Sequence, residues 1–404
     1  MSGVKKGTTR MATALDGIRV LDLAQFTPGP LCAMILGDLG AEVIKIERPG
    51  GNDDRRMPPI VNGLSLYSAL NNRNKRCITL NVNTPEGQEL LRRLVRQSDV
   101  VIEGFRPGYL DSLSLGYTHL SPLHRGLIMV SVTGYGQSGP YRNRGGFDMI
   151  AQAVGGLMSL NGDPDGPPLK VGTSPAAVVA GLNCAVGVLA ALQHRARSGE
   201  GQWIDVALLD SVVAQIEADI PYYGLTGQTL PRAGNRRLYS APANAYQARD
   251  GYVYIAPGID SIWRRLCEVM GRPELGAAPQ FRTNEDRRAH VEETDQVVQE
   301  WVAQKTVGEV VTVLTAAKVP CGAVNDIPAV FADPQVQVRE MIVPVTHPTI
   351  GVLPLPGQPI KLSRTPARAG GELAEPGQHN GEVYGTLLGI TSTQLATWAT
   401  TGVI

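Results

Sequence analysis

Short apolar runs rich in β-branched residues alternate with helix-like segments along the first half of the chain. Residues 18–24, IRVLDLA, read as a buried strand. A QFTPGP turn follows. Residues 31–39 then read as a helix, with Pro30 in its first turn and Gly40 at its end. Residues 41–47 are a second strand. This β-α-β unit predicts a parallel pair with a right-handed crossover. The rhythm continues with strands at 76–80, 100–103, 127–132 and 203–207 and helices at 84–97, 148–160, 176–196 and 208–220. Such alternation predicts a doubly wound α/β domain.

A Gly/Pro/Arg-rich stretch at 224–242 breaks the pattern. Beyond it lie a short strand at 253–256 and helices at 262–270, 297–304 and 307–317. The expected organisation is a disordered extension over 1–14 and a large Rossmann-like domain beginning at 15–224. A smaller α+β domain follows over 225–325, and 326–404 return to the large domain.

Composition narrows the function. The 404 residues carry 37 Lys plus Arg and 37 Asp plus Glu, a formal net charge of zero. No global field draws the chain to nucleic acid or an anionic membrane, and 5% aromatics argue against base stacking. Cys32, Cys77, Cys184, Cys267 and Cys321 form no C-x-x-C pair, so neither a zinc site nor a disulfide framework is expected. The N-terminal segment has lysines but no apolar core and does not read as a signal peptide. The longest apolar run, at 176–192, is interrupted by Gly181, Asn183 and Gly187, so no membrane span is expected and the location reads as cytoplasmic. A first β-α-β unit invites a dinucleotide reading, but the loop TPGPLC offers only Gly29 where a phosphate fingerprint needs three glycines.

The opening LDGIRVLDLAQFTPGPLCAMILGDLGAEVIKIERPGG resembles that of the family III CoA-transferases, which include formyl-CoA and carnitine CoA-transferases and the α-methylacyl-CoA racemases. NNRNKRCITLNVNTPEG, VVIEGFRPG, SVTGYGQSGPY, GGFDMIAQAVGGLMSLNG, GVLAALQHRARSGEGQWIDVALLDS, DGYVYIAPG and VPCGAVND extend the likeness over about residues 15–390. The resemblance implies an interlocked, ring-like dimer, each chain lending small-domain residues to the other's site. It implies coenzyme A and acyl-CoA as substrates, with no permanently bound cofactor. It also implies an aspartate that attacks the acyl-CoA, forms a mixed anhydride and then carries CoA as a thioester. A carboxylate suits this role because each acyl exchange is then nearly thermoneutral.

The sequence departs from the family where that chemistry resides. The segment resembling V-G-x-x-x-A-D-x-x-x-G-L is VGTSPAAVVAGL, which places Ala177 at the aspartate position, the register being held by Gly181 and by the GVLAAL at 187–192. Alanine can neither form an anhydride nor move a proton. The segment that usually ends L-D-L-K runs from Leu80 to Asn83, E-N-F-R-P-G has become Glu103-Gly104-Phe105-Arg106-Pro-Gly, and the arginine expected before L-G-L-G is Ser112. Two lost cations at about 1.5–3 kcal/mol each weaken CoA binding by roughly 10²–10⁴-fold, unless Arg73 or Arg106 compensates. Thr27, beside Pro28, stands where formyl-CoA transferase has a glutamine. The racemase histidine is Phe147, which excludes the usual racemase mechanism.

Among the remaining candidates, Arg48 reads as a phosphate ligand or a solvated strand-end charge, and Tyr135 as a loop residue near the acyl site or a turn residue. Asp148 reads foremost as the N-cap of the helix after it, with ligand contact and substitute nucleophile as alternatives. Ser174 and Thr173 have no nearby histidine in sequence to serve as base, and Cys184 sits at core spacing.

The leading expectation is a subunit without its own nucleophile, paired with an aspartate-bearing paralogue in a heterodimer or heterotetramer, a homodimer remaining open in isolation. Transferases that carry CoA from succinyl-CoA to (R)-benzylsuccinate in anaerobic toluene degradation resemble such heteromers. The alternatives are a homodimeric acyl-CoA enzyme with altered chemistry and a non-catalytic binding or regulatory homologue.

Overall fold

The computed structural model describes residues 13–347 and 350–404. The expected N-terminal extension falls largely outside these residues. Thr13 is buried, and its amide and hydroxyl donate to the Asp16 carboxylate. The described residues form two compact units, one of 13–156, 172–217, 334–347 and 350–404, the other of 157–171 and 218–333.

The first unit is built on β1 (Arg19–Asp22), α1 (Pro28–Asp38), β2 (Glu42–Glu47), α2 (Leu66–Asn72), β3 (Lys75–Thr79), α3 (Pro85–Val95), β4 (Val100–Glu103), β5 (Ile128–Thr133), α4 (Asp148–Val154), α5 (Pro175–Ser198) and β6 (Trp203–Ala207). The six strands form one sheet in the order β3-β2-β1-β4-β5-β6, every neighbouring pair parallel. This is a mixed α/β fold with a parallel central sheet in the doubly wound order. Strand order reverses beside β1, and the crevice between the loops after β1 and β4 is where such sheets receive ligands. Val20, Leu21, Ile44, Ile78, Val101 and Val130 are almost fully buried, as strands covered on both faces require.

Several helices differ from expectation, and the one expected over 208–220 ends at Val213, a separate helix covering Asp219–Thr226. The helix expected over 148–160 stops at Val154, because Gly155 and Gly156 interrupt it and Gly156 adopts φ +90°. Residues 157–171 belong to the second unit, where the Arg232 guanidinium donates to the Asp163, Pro164 and Gly166 carbonyls. α5 is long and apolar enough to cross a bilayer by length and composition alone. One face of it, including Ala180, Gly181, Cys184 and Val188, is buried, as in the core helix of a globular domain. A side chain at Gly181 would meet the Pro28 carbonyl oxygen at 2.8 Å, so a bare backbone there lets α5 approach the start of α1.

The second unit carries the antiparallel strands β7 (Asn244–Gln247), β8 (Tyr252–Ile255) and, after helices α6 (Asp260–Val269), α7 (Val291–Val302) and α8 (Val307–Ala316), β9 (Cys321–Ala323). Its core is Tyr246, Val253, Trp263, Leu266, Val298 and Leu314 with their neighbours.

The last segment returns to the first unit as the hairpin β10 (Ile342–His347) and β11 (Gly351–Pro356), then helices α9 (Asn380–Leu388) and α10 (Ser392–Thr400). Tyr384 of α9 donates to the Thr79 carbonyl, which fixes this helix beside β3.

Candidate active site

The floor of the crevice is a buried charge cluster. Asp22 at the end of β1 accepts from Lys75 Nζ at 2.8 Å and Lys45 Nζ at 3.3 Å, and Lys75 also donates to the Pro30 carbonyl and Asn72 Oδ1 at 2.9 Å each. Burial opposes ionisation of Asp22, but the two ammonium groups outweigh it and hold the carboxyl below its ordinary value. Burial lowers Lys75 to about 8. All three groups are occupied with one another and form structure beneath the loops.

Above this floor, Thr27 precedes α1. Its side chain does not cap the helix. Its hydroxyl instead pairs with the Tyr67 hydroxyl at 2.7 Å, and Pro28 opens α1 with its carbonyl against α5. Burial pushes the Tyr67 phenol up, and the nearby Asp54 and Asp148 charges add to this. Tyr67 lies on α2, far from residues 148 and 177 in sequence. No local pattern marks it, and only the topology brings it to the site.

Ala177 is the third residue of α5 and nearly buried at 4% exposure. Ser174, the residue before the helix, makes no side-chain cap. Asp148 supplies the cap from another element: its Oδ1 accepts from the Ala177 amide at 3.0 Å, while Oδ2 accepts from Gln152 Nε2 at 2.5 Å. The expectation that Asp148 caps its own helix does not hold, since Phe147 stands at the N-cap position. Asp148 is the first residue of α4 and caps α5. The carboxylate sits at the very amide where the family resemblance expects an aspartate side chain to begin. The Phe147 ring, 58% exposed, meets Phe26 edge-on at a centroid distance of 6.0 Å. Phe26 holds φ +65°, a strained conformation for a non-glycine residue in the loop after β1.

The residues that the family resemblance places on the CoA side fall on the neighbouring loops. Leu80 is buried, its amide donating to the Glu47 carbonyl. Asn83 is exposed and accepts from the Tyr109 hydroxyl at 2.8 Å. Gly104 is exposed, Phe105 packs its ring 5.0 Å from Tyr109, and Arg106 is exposed. The Tyr135 ring lies 5.7 Å from that of Tyr141 and beside Gly146.

Two expected cations are committed elsewhere. Arg48 donates to the Gly51 carbonyl and pairs with Asp53, as a strand-end charge does. Arg73 is buried and paired with Asp38 at 2.7 Å, with a further bond to the Pro356 carbonyl, so it compensates for nothing at a ligand site. Glu103, which closes β4, is raised to about 7 by burial, although Ser131 and the Phe105 amide pull it back. Among the described residues, no cluster of three or more His, Cys, Asp or Glu is placed to hold a metal ion.

The parallel sheet and its switch point between β1 and β4 define a doubly wound α/β protein. The model of CoA-transferase family III matches residues 15–380, and the chain belongs to this family. Its members act on CoA thioesters as substrates rather than through a permanently bound cofactor.

Among similar proteins, the succinyl-CoA–D-citramalate CoA-transferase of Chloroflexus aurantiacus is 39% identical over 95% of this chain and 96% of its own length. The succinyl-CoA–L-malate CoA-transferase beta subunit of the same organism is 38% identical over 96% of this chain and 97% of its own. A solved CAIB/BAIF family protein from Brucella suis superposes with a TM-score of 0.84 at 36% identity, over 93% of this chain and 99% of that one.

Proposed function

We propose that this chain is the subunit without a nucleophile in a heteromeric CoA-transferase that moves CoA from succinyl-CoA to a dicarboxylic acid. One observation carries the reading. Ala177 occupies the nucleophile position at the start of α5, and the Asp148 carboxylate is already spent on its backbone amide.

The reaction then belongs to an aspartate on a paralogous partner. That carboxylate attacks the thioester carbonyl of succinyl-CoA, giving an aspartyl-succinyl anhydride and CoA thiolate. The thiolate attacks the aspartyl carbonyl and expels succinate. The acceptor carboxylate next displaces CoA thiolate to form a second anhydride. Thiolate attack on the acceptor carbonyl releases the new thioester and the free aspartate. Protein and substrate carboxylates exchange acyl groups at each step without a net proton.

The names of the relatives support succinyl-CoA as donor and a beta subunit as a form this lineage takes. Exposed Val178, Leu182, Val186 and Leu189 follow helical spacing along α5, an apolar stripe suited to burial by a second chain in the interlocked dimer. The same reading carries the domain division at 224/225 and 325/326 and a cytoplasmic location. Benzylsuccinate is the finer acceptor assignment, tested beside malate, citramalate and glutarate.

The experiment is co-expression with an aspartate-bearing paralogue, followed by transfer from succinyl-CoA to that panel, with each chain also assayed alone. Activity confined to the mixture and abolished by removing the partner's aspartate is the expected result. Full activity from this chain alone overturns the reading.

A further inference from the structure

A small cavity lies at the open end of the β10–β11 hairpin. Ile342 stands opposite Pro356, and the Gly357 amide donates to the Met341 carbonyl at 2.9 Å. The pairing thus runs on past the strands and sets Glu340 beside Gln358. The chain then turns through Ile360, Lys361 and Leu362. With Val343 and the segment 366–369, these residues enclose about 130 Å³. A cavity of about 150 Å³ admits benzene, so this space suits a molecule of roughly five to eight heavy atoms.

The cavity is separate from the crevice. Gln358 reaches Asp38, the last residue of α1, and α1 is 11 residues long. That end of the helix lies roughly 16 Å from Thr27. Gln358 is 3% exposed, and both of its side-chain bonds are long: Nε2 donates to Asp38 Oδ2 at 3.4 Å, and Oε1 accepts from the Ile360 amide at 3.4 Å. Asp38 already holds Arg73 at 2.7 Å and Asn74 at 3.1 Å. The Gln358 amide therefore keeps donor and acceptor capacity for a guest. Glu340 and Lys361 bring opposite formal charges to the same lining, and among the described residues neither has an ion-pair partner. Glu340 keeps its carboxylate here although its backbone is left-handed, at φ +51°, where glycine or asparagine fits more readily.

We propose that this cavity binds a small zwitterion, an α-amino acid with a short apolar side chain. Lys361 takes its carboxylate, Glu340 takes its ammonium group, and the Gln358 amide adds a third polar contact. Val343, Ile360 and Leu362 receive the side chain. A simple acid meets the like charge of Glu340, and a simple amine meets that of Lys361. A molecule carrying both charges satisfies both. This inference does not depend on the CoA-transferase reading.

The test is calorimetric titration of the full-length chain with L-alanine, L-valine, isovalerate and isobutylamine. The last two are valine without its amino group and without its carboxylate. At least one amino acid is expected to bind saturably, and about ten-fold or more tighter than either truncated compound. Lys361→Met and Glu340→Gln should each weaken amino-acid binding by roughly ten-fold. Glu340→Gln should also strengthen isovalerate binding, because the repelling charge is gone, and a merely structural role would not produce that reversal. Thermal melting checks that each variant keeps the fold, and Lys361→Met decides alone if Glu340→Gln does not. No saturable binding of either amino acid, isovalerate bound as tightly as valine by the wild-type chain, or unchanged amino-acid affinity in folded Lys361→Met overturns the proposal.

Discussion

The Asp148 carboxylate and the Ala177 amide stand 3.0 Å apart, one carboxylate from α4 closing the first turn of a helix whose own Ser174 leaves it open. The first turn of a helix favours a negative charge and leaves amides in need of acceptors. A side chain at 177 thus starts in a polarised setting that the alanine leaves unused.

Ala177→Asp is therefore expected to create a reactive carboxylate without loss of fold. With succinyl-CoA, the variant should accumulate a covalent enzyme–CoA adduct, visible as a mass increase that neutral hydroxylamine removes. The wild-type chain should show none. An unlabelled variant that melts like wild type would argue that more than the nucleophile has been lost.

Removing the cap tests structure apart from chemistry. Asp148→Ala should destabilise the chain by about 1–2 kcal/mol, measured by denaturant unfolding, because an α5 amide and Gln152 lose their acceptor together. Asp148→Asn, which keeps one acceptor oxygen, should lose less. Neither variant should abolish transfer by the mixed enzyme, since the reacting aspartate belongs to the partner.

Glu103 makes stability depend on pH. Its carboxyl titrates at about 7 in the folded chain against an ordinary 4.5, so the folded state holds the proton more tightly. Its favourable contribution is complete below about 4.5 and is lost as pH rises through about 7, at about 1.4 kcal/mol for each tenfold difference in proton affinity. Glu103→Gln removes this dependence. The variant should gain melting temperature over wild type between about pH 5 and about pH 8, and a difference that stays flat over that range would contradict the assignment.

The close contact of α5 with α1 is sensitive to a single methyl group. Gly181→Ala places a Cβ 2.8 Å from the Pro28 carbonyl oxygen and 3.0 Å from Leu31 Cδ2. Overpacking of this kind costs about 1–3 kcal/mol. The same substitution at Gly172, where an added Cβ meets nothing within 4 Å, should cost far less.

What the sequence discloses depends on how local the cause is. β1, α1 and β2 are legible because a β-branched run, a proline at a helix start and a terminating glycine act within a few residues. Ala177 is legible only through its register with Gly181. The hairpin of β10 and β11 is not legible because its strands contain prolines, which usually argue against a strand; here Pro344 lies opposite Pro354 at a position the pairing tolerates. Tyr67, the Asp148 cap on a distant helix and the meeting of Gln358 with Asp38 depend on the crossing of segments far apart in sequence. No period or spacing encodes such meetings.

The Asp22 cluster has a consequence for assembly. Its charges come from β1, β2 and the start of β3, with further acceptors from Pro30 and Asn72. A lysine sealed inside without its counter-ion costs about 3–5 kcal/mol. A sheet that lacks β1 leaves Lys45 and Lys75 without their counter-ion, whereas one that lacks β2 or β3 keeps Asp22 matched by a single lysine. The cluster thus ties β2 and β3 to the presence of β1, whose single carboxylate answers both of their lysines.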